Sequence, residues 1–187
     1  GKRRLERALA ERPDVEAHIN WRAFQLNPWM PAAGVSREEY LKAKFGASDA
    51  QRIYANIREV GLTEGLEFRF DLMTRTPNTI MSHRLIAWSG EQEGDDPQGA
   101  LVENLFQSYF LNGGDLGDVA VLVEAAESAG LNTAAAEAFL ATNEQHDAVV
   151  AEDAAARRMG IQGVPCFIVD GAYAVSGAQE PEYFMPL

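Results

Sequence analysis

The stretch Gly160-Ile161-Gln162-Gly163-Val164-Pro165-Cys166-Phe167-Ile168-Val169, continued by Asp170-Gly171 and by Tyr173-Ala174-Val175-Ser176-Gly177-Ala178-Gln179, decides how this chain is read. Its pattern predicts a helix end, a loop, a proline, a strand, a tight turn and a second strand. Residues 167–169 are an apolar run, Asp170-Gly171 is a strong hairpin signal, and residues 173–175 supply the returning strand. Proline at the lip of such a strand has two consequences. X-Pro is the peptide bond that readily turns cis, and proline lacks an N–H, so residue 164 can offer its own N–H and C=O to an outside chain.

Working back from this stretch, helical apolar spacing recurs in residues 145–159, 133–141, 119–129, 97–111 and 79–89. Glycines and short polar clusters at 142–144, 130–132, 112–117 and 90–96 separate these runs. Leu66-Glu67-Phe68-Arg69-Phe70 alternates as a short extended piece. A run over 49–60 ends at Gly61, and Ser36 with Glu39 three residues on opens a helix through Phe45. Residues 15–26 alternate through Val15, Ala17, Ile19, Trp21 and Ala23, which predicts a strand ended by Asn27-Pro28. Residues 2–11 repeat Leu5, Ala8 and Leu9 at helical spacing and stop at Pro13. The order places a small sheet at the two ends of the chain and helices between them.

With 187 residues, 47% of them hydrophobic and 24% charged, the chain is one domain, or one domain with a sizeable insertion, and can bury a core. The net charge of -12 argues against a nucleic-acid surface. Lys2-Arg3-Arg4 reads as a solvated helix face. No apolar run approaches the roughly 20 residues of a membrane span, and no signal peptide is visible, so a soluble, cytoplasmic protein is expected. One cysteine excludes an internal disulfide and suits a reducing compartment. His18 and His146 stand apart from other ligand types, so no metal site is expected. No phosphate loop, dinucleotide fingerprint or Gly-x-Ser-x-Gly elbow occurs.

The opening stretch, with its G-x-x-G-V-P-x-F-I-V and S-G-A-Q wording, resembles the proline loop and closing hairpin of thioredoxin-like proteins, in particular the FrnE-like branch of the DsbA family. Three other segments are similar to the same family: Trp21-Arg22-Ala23-Phe24-Gln25-Leu26-Asn27-Pro28, Tyr40-Leu41-Lys42-Ala43-Lys44-Phe45-Gly46, and Arg75-Thr76-Pro77-Asn78-Thr79 with His83-Arg84-Leu85. The resemblance implies an α/β thioredoxin-like fold with a large α-helical insertion. Residues 1–30 and 145–187 would form the core, incomplete at both ends, and 31–144 the insertion. In that family the redox centre is a Cys-Pro-x-Cys pair between the first strand and the first helix, where the helix N-terminus stabilises a thiolate. This sequence contains no such pair. Gly1-Lys2-Arg3-Arg4-Leu5 resembles the helix that comes a few residues after the motif. The pair and the first strand are therefore expected just upstream of Gly1, and Phe184-Met185-Pro186-Leu187 resembles a final helix cut short.

The activity so implied is thiol–disulfide oxidoreduction on protein or small-molecule thiols and disulfides, with no cofactor. Two alternatives stand beside it. One is a glutathione-dependent enzyme similar to kappa-class glutathione transferases and hydroxychromene-carboxylate isomerases, and the other is a thioredoxin-like binding protein without a nucleophile. By the resemblance, Val164 pairs its backbone with substrate and Pro165 keeps the loop from closing over the thiols. Gly177, Ala178 and Gln179 are candidates for an anion-binding helix N-terminus. Asn78 is a candidate polar contact at the cleft or a helix cap. His83 reads as a satisfied structural histidine before a general base, and Cys166 as a small apolar strand residue before a reactive thiol. The helical lid leaves a homodimer open.

Overall fold

The computed structural model describes residues 1–94 and 96–186. Asp95, inside the polar separator expected at 90–96, and Leu187, the end of the expected core segment and of the expected shortened helix, lie outside the described residues, as do the side chains of Ala47 and Ser48. In chain order the elements are α1 (Lys2–Glu11), β1 (Val35–Ser36), α2 (Arg37–Thr63), β2 (Arg75–Thr76), α3 (Ile80–Ser89), α4 (Pro97–Asn112), α5 (Val119–Ser128), α6 (Thr133–Leu140), α7 (His146–Arg158), β3 (Cys166–Val169) and β4 (Tyr173–Ser176). Single 3-10 turns lie at Phe70–Leu72 and Pro181–Tyr183. None of the helices among the described residues is long and apolar enough to cross a membrane.

Local chemistry sets the helix starts. Ser36 and Glu39 form a reciprocal capping box at α2, while Asp96, Asp118 and Asn132 each accept an N–H of the first turn of α4, α5 and α6. Such caps contribute about 1 kcal/mol each. The helical stretch α2 breaks at Gly46, whose φ of 72° and ψ of 169° are not helical, so it consists of the two helices expected over residues 36–60.

The core sits where α3, α4, α5 and α6 meet. Leu85, Leu101 and Leu122 are wholly shielded there, with Leu105, Ala126, Ala136 and Phe139 around them. Burying each large aliphatic side chain stabilises by about 1.5–3 kcal/mol. Trp88 of α3 stacks on Phe139 of α6 with ring centroids 5.6 Å apart. Buried Arg84 donates to Thr142 O at 2.7 Å and Glu144 O at 2.6 Å in the connection from α6 to α7, and to Phe139 O in the last turn of α6 at 3.4 Å. A cation at a helix C-terminus is favourable in the field of the helix dipole.

The sheets are small. Strands β1 and β2 pair antiparallel, Val35 opposite Thr76, and β3 and β4 pair with Cys166 opposite Ser176 and Val169 opposite Tyr173. The strand expected at 15–26 is not formed: this segment pairs with no strand among the described residues. Its donors go to side chains instead. The N–H of Trp21 donates to Gln98 Oε1 at 2.8 Å, that of Ala23 to Glu152 Oε2 at 2.5 Å, and that of Gln25 to Asp153 Oδ1 at 2.8 Å. Alternate N–H groups leave an extended chain on one edge, so α4 and α7 supply the acceptors that a neighbouring strand would otherwise provide. Residues 66–70 also join no sheet, because the Leu66 N–H closes back onto Gly61 O and the Arg69 N–H reaches Phe110 O, each at 2.8 Å. Helix α7, assigned from sequence to the core segment, packs on α3 of the insertion and so ties the two together.

Candidate functional site

The site grows from the end of α7. Gly160, at φ +85°, turns the chain out of the helix, with its N–H on Arg157 O and the Ile161 N–H on Ala156 O. The chain then reaches the Val164–Pro165 peptide bond, which is cis. Val164 is 50% exposed, and its N–H and C=O have no backbone partner among the described residues. Pro165 O accepts from the Gly177 N–H at 2.8 Å, closing the hairpin one residue beyond the β3–β4 ladder. The turn has Asp170 at φ 50° and Gly171 at φ 67°, the left-handed pair expected of an Asp-Gly turn. The loop is one residue longer than a two-residue turn, since pairing resumes at Tyr173 and leaves Ala172 N–H on Val169 O.

The amino end of α1 lies directly against the cis-proline loop. A Cβ built on Gly1 would come within 2.7 Å of Pro165 Cγ and 3.5 Å of Phe167 Cζ, so the close approach depends on glycine having no side chain. No side chain caps α1, and its first turn contains no acidic residue. It carries Lys2, Arg3 and Arg4 instead. Cations at the positive end of a helix dipole are unfavourable for the helix, so they need acidic partners nearby.

Two clamps hold those cations, and they correct the expectation of a solvated face. On one side Arg3 and Lys2 pair with Glu103 of α4, Lys2 Nζ lying 2.7 Å from Glu103 Oε2. On the other, Arg4 Nε donates to Glu64 Oε1 at 2.7 Å and Arg7 lies 3.0 Å from Glu64 Oε2, at the end of α2. Arg4 also donates to Ala178 O at 2.6 Å and pairs with Glu180 at 2.9 Å. One guanidinium thus joins α1, the insertion and the segment after the hairpin. Burial pushes the Glu103 carboxyl up, but hydrogen bonds from Arg3, Gln107 and Lys2 outweigh it and hold the group down at about 2. Glu64 lies below the usual carboxylate range chiefly because Arg4 donates to it. These partners are distant in sequence, so the only signal available was a run of three cations opening a helix without an acid.

The other sequence candidates separate. Val164 and Pro165 are together at the α1 end, and Gly177 is joined to them through Pro165 O. The anion-binding helix N-terminus expected at Gly177, Ala178 and Gln179 is not formed. The Gly177 N–H is bonded to Pro165 O and that of Gln179 to Gly177 O, while the Gln179 side chain donates to Ser176 O at 2.8 Å. Beyond them the chain forms only a single 3-10 turn begun by Pro181, which has no N–H to give. Asn78 spends its side chain inside the fold, accepting the Ile80 N–H at 2.9 Å and donating to Met30 O at 2.7 Å. His83 Nδ1 lies 2.6 Å from Thr79 O; a carbonyl only accepts, so Nδ1 carries the proton. Burial lowers the His83 pKa, with Thr79 O and Asp153 pulling the other way. Cys166 is a free, half-buried thiol on β3.

A helix start seated on a cis-proline loop agrees with the match of the DSBA-like thioredoxin domain family model to residues 1–185. The chain belongs to the DSBA-like thioredoxin family. Its structure is similar to the crystal structure of a probable DsbA oxidoreductase from Streptomyces coelicolor, with a TM-score of 0.83 and 34% identity over 99% of this chain and 80% of that one. No curated protein matches the sequence. The fold is accordingly thioredoxin-like with a helical insertion, and the family's chemistry is that of thiols. The sequence contains one cysteine and no Cys-x-x-Cys.

Proposed function

We propose that this chain is the framework and substrate-docking part of a thiol–disulfide oxidoreductase of the FrnE-like DsbA type, whose cysteine pair lies just upstream of Gly1. The observation that carries the reading is the seating of the uncapped, cation-rich start of α1 against Val164–Pro165. A thiol at that helix end has free helix amides nearby, a condition that favours thiolate. Family membership and a longer solved relative, of which this chain covers 80%, support the same reading.

In the reducing direction, thiolate sulfur attacks one sulfur of a substrate disulfide. A mixed disulfide forms and the other substrate sulfur leaves as thiolate. The second cysteine then attacks the mixed disulfide, so the pair ends oxidised and the substrate carries two thiols. The opposite direction reverses each step. Val164 holds the substrate strand through its open N–H and C=O, in the manner of strand addition, and the Pro165 ring separates the thiols from the loop. Cys166, the one cysteine of this chain outside the proposed pair, is a free thiol, which suits a reducing, cytoplasmic setting.

The test is to read the coding sequence before Gly1 and to compare insulin reduction by the longer protein with that by the 187-residue chain. Two cysteines upstream, with turnover by the longer protein alone, are expected. A lone serine there together with glutathione binding, or normal turnover by the shorter chain, overturns the proposal.

A further inference from the structure

All 16 lysine and arginine residues lie at or before position 158, so the cis-proline loop, the β3–β4 hairpin and the segment after it contain acids but no cation. The acids are Asp170, Glu180 and Glu182, and all three are exposed. The Gly177 N–H is on Pro165 O, Arg4 reaches Glu180 at 2.9 Å, and Phe184 meets Phe167 edge-on at 5.0 Å, so residues 177–184 fold back over the start of the hairpin. The cations of α1 are already matched. Lys2 and Arg3 share Glu6 and Glu103, while Arg4 and Arg7 share Glu64 and Arg4 takes Glu180 as well. Asp170 and Glu182 have no cationic partner among the described residues. Arg158, the last cation before the loop, lies at the negative end of the α7 dipole.

We infer that the polypeptide docked on Val164 is a basic one, with lysine or arginine beside its cysteine, and that glutathione is disfavoured. The inference rests on the proposed docking role of Val164 and names the substrate class. A chain added along the open N–H and C=O of Val164 sends its side chains alternately to two faces, so some of them come over the hairpin and residues 177–184, where the unpaired carboxylates are. Charge of one sign around a site draws opposite charge and repels its own. Glutathione brings two carboxylates against one ammonium. The N–H groups that could have held a carboxylate, those of Gly177 and Gln179, are bonded to Pro165 O and Gly177 O. With that anion site closed and the α1 cations paired, residues 159–186 offer a carboxylate no cation.

The test is fluorescence anisotropy on the 187-residue chain at about pH 8.5, above the pKa of the Gly1 amino group, which burial and Arg4 lower. Three dye-labelled pentapeptides share a Val-Ala-Val centre and carry lysine, serine or glutamate at both ends, and glutathione disulfide serves as competitor. The lysine peptide is expected to bind about fivefold more tightly than the serine peptide, the size of one or two exposed ion pairs, and the glutamate peptide more weakly than either. Strong salt should erase the difference. Glu182→Lys combined with Asp170→Asn, which suits the left-handed turn, should abolish the preference. Glu127→Lys, a charge reversal at an exposed position of α5, should leave it in place and so separates a local effect from net charge. Equal binding of the three peptides, a preference unmoved by the double variant, or stronger competition by glutathione disulfide than by unlabelled lysine peptide would overturn the inference and leave the oxidoreductase reading intact. Binding of none of the peptides would overturn it together with the docking role of Val164.

Discussion

Leu85, Leu101 and Leu122 in the helical body are wholly shielded, whereas Ile168 and Tyr173 of the hairpin are 50% and 60% exposed, and Ile19 of the unpaired segment is 39% exposed. The two regions draw on the same kinds of apolar side chain. They differ in how many elements cover each face. Helix α3 has α4, α6 and α7 against it, while β3 has β4 on one edge and, beyond it, Phe184 edge-on to Phe167 at 5.0 Å. An isolated two-stranded hairpin is marginal in water, so this one relies on contacts at its ends. Some of those contacts are apolar, Phe184 on Phe167 and Gly1 against Pro165, and the rest are polar, Arg4 with Ala178 O and Glu180. The helical body is positioned chiefly by packing, the site end by fewer apolar contacts together with hydrogen bonds and charge.

The sharpest way to break this contrast is a matched pair of truncations. Leu122→Ala removes a side chain with no exposure and should cost about 3–5 kcal/mol. Ile168→Ala, at a half-exposed site, should cost about 1 kcal/mol or less. Urea unfolding read by circular dichroism measures both, and equal costs would mean that the hairpin is as tightly covered as the bundle.

A smaller effect is expected where the two regions meet. Asp153 of α7 is buried; it accepts the Gln25 N–H at 2.8 Å and the Arg157 Nε at 3.0 Å. Burial pushes its carboxyl up, but the Arg157 and Gln25 hydrogen bonds prevail and leave it below the usual range. A depressed folded-state pKa means that the contribution is complete above the ordinary aspartate range and disappears as pH falls below it. Asp153→Ala should therefore cost about 3 kcal/mol near neutral pH and much less in acid. A loss that is the same at both pH values would show that Asp153 acts by packing.

These same contacts explain which features were legible in the sequence. The helices of residues 79–159 came through within a residue or two, because caps, glycines and apolar spacing are local. The hairpin was legible for the same reason, through Asp170-Gly171. Residues 15–26 misled: alternation reports an extended backbone with one set of donors on one edge, and it cannot say whether that edge meets a strand or, as here, Gln98, Glu152 and Asp153. At the site, Val164 and Pro165 were readable from adjacent residues. Arg4 with Glu64, 60 positions apart, was not. The anion site expected at Gly177, Ala178 and Gln179 failed because Pro165 O had already claimed the Gly177 N–H.

The smallest effect should come from the clamp on the other flank of α1. Glu103 is paired with Lys2 and Arg3 at a site about one-fifth exposed, so solvent screening limits the clamp to about 1 kcal/mol. Its pH window is nevertheless distinctive. The folded-state pKa is held down to about 2, so the contribution is full above the ordinary glutamate range and is lost as pH falls towards that value. Salt should weaken it at neutral pH, since the ions reach a partly exposed pair. Glu103→Gln should thus reduce stability slightly in dilute buffer and less in strong salt, whereas Leu122→Ala should stay costly in both. If Glu103→Gln proved as costly and as salt-insensitive as the core truncation, charge would not be what seats α1 against the insertion, and the division between a packed body and a charge-held site end would fail.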